Sequence, residues 1–149
     1  MFKNLLNMIK NETEVEGTDH RILFASLLVR AARVDYDYAD AEKKQINKIL
    51  KKKFNLTETE VEKTRIEGET LESNTIDTVQ ITRQIKREIP FEYRKALAED
   101  LWSIVLADDK RTDYENSFMR TCIKLIGLSD VDGAKARHAV LNKIDDKNE

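Results

Sequence analysis

The sequence predicts an all-α fold, a compact bundle of about seven helices, and three observations predict it. Apolar residues recur at helical spacing along most of the chain. No Val/Ile/Thr run alternates with period two between turn residues, so strands have no candidate segment. Four glycines and one proline in 149 residues are too few for the turns of a β-rich domain. The length suits one domain with its own core, without staples.

Residues 1–17 read as a short amphipathic segment and a linker. Phe2, Leu5, Leu6 and Ile9 fall at i, i+3, i+4 and i+7, one helical face. Residues 1–10 are expected either to fold back on the domain or fray, or to make a peripheral membrane contact. The Glu-rich stretch after them ends at Gly17. A helical domain then spans 18–145, and 146–149 should fray.

Within that domain Thr18 is expected to cap a helix through Ile22, Leu23, Leu27, Leu28 and Val29 to about Arg33. Both of its faces are apolar, which makes it the central helix. A second helix, about Asp40–Lys53, turns Ile46, Ile49 and Leu50 inward and a lysine-rich face outward. Thr57-Glu-Thr-Glu60 is a capping box, opening a polar helix whose main apolar points are Val61 and Leu71. Ser73 or Asn74 should start the next, with Ile81, Ile85 and Ile89 four apart, and Pro90 must end it. The following helix turns Leu97, Leu101, Ile104 and Val105 inward, with Phe91 and Trp102 as anchors. Thr112-Asp-Tyr-Glu115, a further capping box, opens a helix with Phe118, Met119, Cys122, Ile123 and Ile126 inward, ended by Gly127. The last helix is capped around Ser129–Asp132 and runs through Leu141 and Ile144.

Composition narrows the function. Twenty-six basic against 28 acidic residues argue against a nucleic-acid partner. Cys122 is the only cysteine, so no internal disulfide forms, which fits a reducing, cytoplasmic setting. No apolar run approaches the about 20 residues of a membrane span, and a secretory leader pattern is absent. His20 and His138 lack the surroundings of a general base, and no phosphate-binding glycine loop exists. Enzymatic activity is therefore not expected. Lys51–Lys53 and Arg83–Arg87 read as solvated helix faces that still suit anionic lipid or an acidic partner.

The chain repeats itself. At an offset of 73 residues, Ala32 matches Val105, Asp35 matches Asp108, Asp40 matches Asp113, and Glu42 matches Glu115. Phe54-Asn-Leu-Thr57 then pairs with Ile126-Gly-Leu-Ser129, one residue slipped. Each half reads helix, acidic bend, helix, an arrangement that usually packs about a pseudo-two-fold axis.

The stretches Val34–Glu42 and Leu106–Glu115 resemble the paired acidic signature of TerB-like domains, named for tellurite resistance and similar to the N-terminal domain of the DjlA co-chaperone. The likeness extends from about His20 to Ser129. The family pattern is Ala-Asp-Gly, a hydrophobic residue, a cap residue and Glu. Here Tyr36 and Asp109 replace the glycines, Ala39 stands at the cap position, and Arg111 fills the hydrophobic slot. The resemblance implies an all-helical, non-enzymatic module that takes a divalent cation on its acidic bends, in metal or oxyanion stress.

Carboxylates are the ligands hard cations prefer, so Ca²⁺, Mg²⁺ or Mn²⁺ is the implied cofactor. Asp35, Asp37 and Glu42 form one candidate set; Asp108, Asp109, Asp113 and Glu115 form the other. Neither has EF-hand spacing, and zinc lacks its Cys and His ligands. The alternative is that these carboxylates only cap helices, with Arg33, Arg94 or Arg111 neutralising Asp35 or Asp108. The chain would then be a helical protein-interaction module, membrane-adjacent through residues 1–10, with an unidentified protein partner.

Overall fold

The computed structural model describes residues 18–34, 38–107 and 113–148. They form seven helices: α1 (His20–Arg33), α2 (Asp40–Phe54), α3 (Glu58–Asn74), α4 (Thr78–Glu88), α5 (Phe91–Leu106), α6 (Asp113–Leu125) and α7 (Asp130–Asn148). No strand occurs among the described residues.

Helix α1 is the centre, as its two-sided apolarity predicts. Leu23 to Val29 are all buried, and α1 packs on α2, α3, α4, α5 and α6. Its one interior charge, Arg30, reaches the turn after α3. The guanidinium donates to the Glu72 carbonyl (2.9 Å), the Thr75 carbonyl and Thr78 Oγ1 (2.9 Å). Carbonyls left over at a helix C-terminus thus receive a buried cation, which suits both.

The duplication extends further than the two hairpins. Helices α1–α2–α3 and α5–α6–α7 are equivalent units, with α4 packed on α1, α5 and α6. In each unit the first helix packs on the third, and each second helix touches the first helix of the other unit. That reciprocity is what a pseudo-two-fold relation produces. Local geometry repeats with it. Asn55 (φ 54°) and Gly127 (φ 81°) both close their helices in the left-handed region. The next amides, of Leu56 and Leu128, fold back onto the Lys51 and Ile123 carbonyls at 3.1 and 3.0 Å. Both leucines are buried, and each leads into a capping box, Thr57–Glu60 or Ser129–Asp132.

Several expectations need correction. Asp19, not Thr18, caps α1, accepting from the Arg21 amide at 2.9 Å. Helix α3 runs to Asn74, and α4 is capped by Asp77, because nothing before Thr75 breaks the helix. Phe91 is 40% exposed beneath Arg94 and Lys95 rather than an inner anchor; Trp102 alone is buried. At the other end α7 continues to Asn148, past the expected fray, since neither Gly nor Pro stops propagation there. The polar helix α3 packs on α1 through Val61, Thr64, Arg65 and Gly68, a face that apolar periodicity does not mark.

Candidate functional site

Of the predicted acidic set, Asp35, Asp37, Asp108 and Asp109 lie outside the described residues, as does the side chain of Asp113. So do Arg111 and Thr112. Glu42 and Glu115 stand in the first turns of equivalent helices, α2 and α6. Glu42 is half-buried, and its Oε2 accepts from the Ala39 amide at 3.0 Å. Half of a capping box therefore survives without a capping side chain at Ala39. Oε1 of Glu42 has no partner among the described residues. Glu115 is buried, 3% exposed. Among the described residues no three His, Cys, Asp or Glu side chains cluster as a metal site.

The far end of the first bend is tied down. Tyr38 donates its hydroxyl to Glu69 Oε2 at 2.8 Å, and Arg33 and Lys43 lie over its ring. Burial and the Glu69 carboxylate together push the phenol above its ordinary value. Arg65, 6% exposed, holds Glu69 (2.8 Å), Asn47 Oδ1 (3.0 Å) and Glu62. Asn47 Nδ2 returns to Glu62 at 3.0 Å. These five side chains link the end of the bend to α2 and α3. Sequence reasoning missed the set because the contacts that join it across elements, Tyr38–Glu69, Asn47–Glu62 and Arg65–Asn47, are 15 to 31 positions apart in the chain.

Two of the arginines expected to neutralise the bends, Arg33 and Arg94, have other partners among the described residues. Arg33 pairs with Glu72 at 3.5 Å. Arg94 donates to the Ile89 and Ile126 carbonyls at 2.9 and 2.6 Å, closing the ends of α4 and α6. It lies near the start of α5, roughly 18 Å of helix rise from the bend at the other end of that helix.

Beside the second bend lies a cationic trough. Helices α2 and α7 both pack on α5 and leave a space of about 480 Å³ over it, lined by Lys48, Ile49, Lys52, Lys53 and Lys147. On its floor Lys53 pairs with Asp100 at 2.8 Å, and Gln45 bridges to the Ser103 carbonyl at 2.9 Å. Desolvation nonetheless holds the Asp100 carboxyl above its ordinary value, the Lys53 charge opposing. A second space of about 250 Å³ adjoins it, lined by Glu99, Ala107, Val140, Lys143 and Ile144.

Cys122 is buried, and burial pushes its thiol up to about 12, which leaves it inert at neutral pH. His20 is exposed, 3.6 Å from Glu88.

No curated protein and no solved structure matches this chain. One family model does, that of tellurite resistance protein TerB, over residues 21–138. The match begins within α1, ends within α7 and takes in both units and both acidic bends. The all-helical architecture agrees with it, and the chain belongs to the TerB family.

Proposed function

We propose that this chain is a non-enzymatic helical module whose duplicated acidic bends take a divalent cation, Ca²⁺, Mg²⁺ or Mn²⁺, and relay its presence to a protein partner. Family membership supports a helical module without catalysis. The observation that carries the cation reading is the state of Glu42. One oxygen is fixed by the Ala39 amide, the other has no partner among the described residues, and Asp35 and Asp37 precede it closely in the chain. A carboxylate oriented in this way loses little further freedom when it binds a hard cation. Glu115 holds the equivalent position behind Asp108, Asp109 and Asp113. The family's description supports a place in the response to metal or oxyanion stress, and a lone, unbridged cysteine suits the cytoplasm.

Isothermal titration with each cation, on the wild type and on Asp35→Asn/Asp108→Asn, tests this reading. The wild type should bind below millimolar and gain about 2.7 kcal/mol of stability at a hundredfold excess over Kd. The double variant should show neither effect. Absence of heat for all three ions at millimolar concentration would reject it.

A second reading rests on the same Glu42 contact, which completes a helix cap by itself. There the bends are caps only, and the module works through a protein-interaction surface. It predicts no cation effect on stability before or after the substitutions.

A further inference from the structure

We propose that the trough between α2 and α7 is a docking groove for an acidic, amphipathic helix of a partner protein. Lys48, Ile49 and Lys52 of α2 face Lys147 of α7 across the floor formed by α5. Lys143 and Ile144 line an adjoining space of about 250 Å³, and Asp145 and Asp146 stand between them and Lys147 in the chain. Lys48 and Lys52, at i and i+4, share one face of α2, and Ile49 lies round the helix to one side of them. Ile49 and Ile144 are only partly buried, so each wall keeps apolar surface exposed beside its lysines.

Charge complementarity selects the occupant. Lys53 is paired with Asp100, and Lys143 lies 3.9 Å from Glu99. Lys48, Lys52 and Lys147 have no ion-pair partner among the described residues. The groove thus presents three lysines without an ion-pair partner among the described residues, beside the partly buried Ile49, around a trough of about 480 Å³. A helix with an apolar stripe between acidic flanks meets both features, the stripe on the isoleucines and the acids on the lysine rims.

Two other ligands fit less well. Phosphate sites draw on Arg forks or the free amides of a helix start. This trough is lined by the C-terminal halves of α2 and α5 and the end of α7, whose amides are already used within the helices. A bilayer is flat and would touch only the lysine rims, leaving the isoleucines below them uncovered. The proposal uses no residue of the acidic bends and stands apart from the cation reading.

The test is fluorescence anisotropy with a labelled synthetic peptide of about 14 residues, Leu at i, i+3, i+4 and i+7 and Glu between. A scrambled peptide of the same composition is the control. The wild type should bind the patterned peptide at least about tenfold more tightly than the scrambled one, and salt should weaken the binding. Lys48→Glu/Lys52→Glu/Lys147→Glu should weaken it by a further tenfold or more while the fold is kept, with a melting temperature lowered by only a few degrees because Lys52 and Lys147 stand in last helical turns. A milder variant, with Gln at the three positions, should fall between. Equal binding of the scrambled peptide, no response to the substitutions, or no peptide binding alongside capture of phosphatidylserine vesicles would each overturn the proposal.

Discussion

Gly68 of α3 lies so close to α1 that a Cβ on it would stand 2.5 Å from the Cβ of Ala25 and 3.0 Å from backbone atoms of residues 25 and 26. The two helices meet there backbone to backbone, which explains how so polar a helix forms an extensive contact with the centre of the fold. Helix propensity alone says that Gly68→Ala stabilises by about 1 kcal/mol. Packing says the reverse, because the obstructing atoms belong to α1 itself and cannot swing away. The expected outcome is a net loss of about 1–2 kcal/mol by urea unfolding, the overpacking cost exceeding the propensity gain. A gain in stability would mean that α3 is not seated at this depth.

Asn55 and Gly127 occupy equivalent left-handed positions with different chemistry. Gly127→Ala should cost about 1–2 kcal/mol, since the new Cβ is strained at φ 81° and would stand 2.6 Å from Arg94 Nη1, displacing that cap of α6. Asn55→Gly should be nearly neutral, while Asn55→Ala should cost about 1 kcal/mol. Chemical denaturation of the three variants checks the order.

The Tyr38–Glu69–Arg65 chain predicts coupling. Tyr38→Phe alone should cost about 1 kcal/mol for one lost hydrogen bond. Arg65→Met should cost about 3 kcal/mol, because it leaves the Glu69 carboxylate, 19% exposed, without its cation. A double-mutant cycle of Tyr38→Phe with Glu69→Ala, which removes the acceptor, should give a coupling of about 0.5–1 kcal/mol. Strict additivity would show that the end of the first bend is not anchored through α3.

Acid should loosen the helix starts. Backbone amides hold Glu60 below its ordinary 4.5 and Asp132 below its ordinary 3.8, in both cases at a capping box. A carboxylate whose folded value is lowered stabilises fully above its unfolded value, and that contribution is lost as the pH falls through the folded one. Glu60→Gln/Asp132→Asn should therefore reduce the fall in urea midpoint between about pH 6 and pH 3. Asp100 acts in the opposite sense. Burial raises its folded value, so acid relieves a penalty, and Asp100→Asn should steepen the acid loss.

Much of this molecule was legible in its residues. The stripes Ile81–Ile85–Ile89 and Leu97–Leu101–Ile104–Val105 are buried as their spacing requires. Pro90 separates α4 from α5, and Gly127 closes α6. The box at Thr57 forms with both of its hydrogen bonds. The face of α3 was not legible, because Thr64, Arg65 and Gly68 make a helix contact by being small or by finding distant polar partners. The trough was hidden for a related reason: Lys48 and Lys147 are read as separate solvated positions until α5 brings their helices side by side. The acidic signature, in contrast, is plain in sequence, while the structure describes only Glu42 and Glu115 of its side chains.

The amino-acid order by itself determined how many helices form and roughly where, which stripe of most of them turns inward, and that one helix–bend–helix plan was used twice. Those are local matters, settled by 3.6-residue periodicity, capping hydrogen bonds and the scarcity of breakers. Only the tertiary structure decided which charges meet. Arg30 under the α3–α4 turn, Arg65 between α2 and α3, and Lys53 against Asp100 are pairings between distant helices. Coulomb and hydrogen-bond energies depend on separation in space, and packing alone brings such groups within reach.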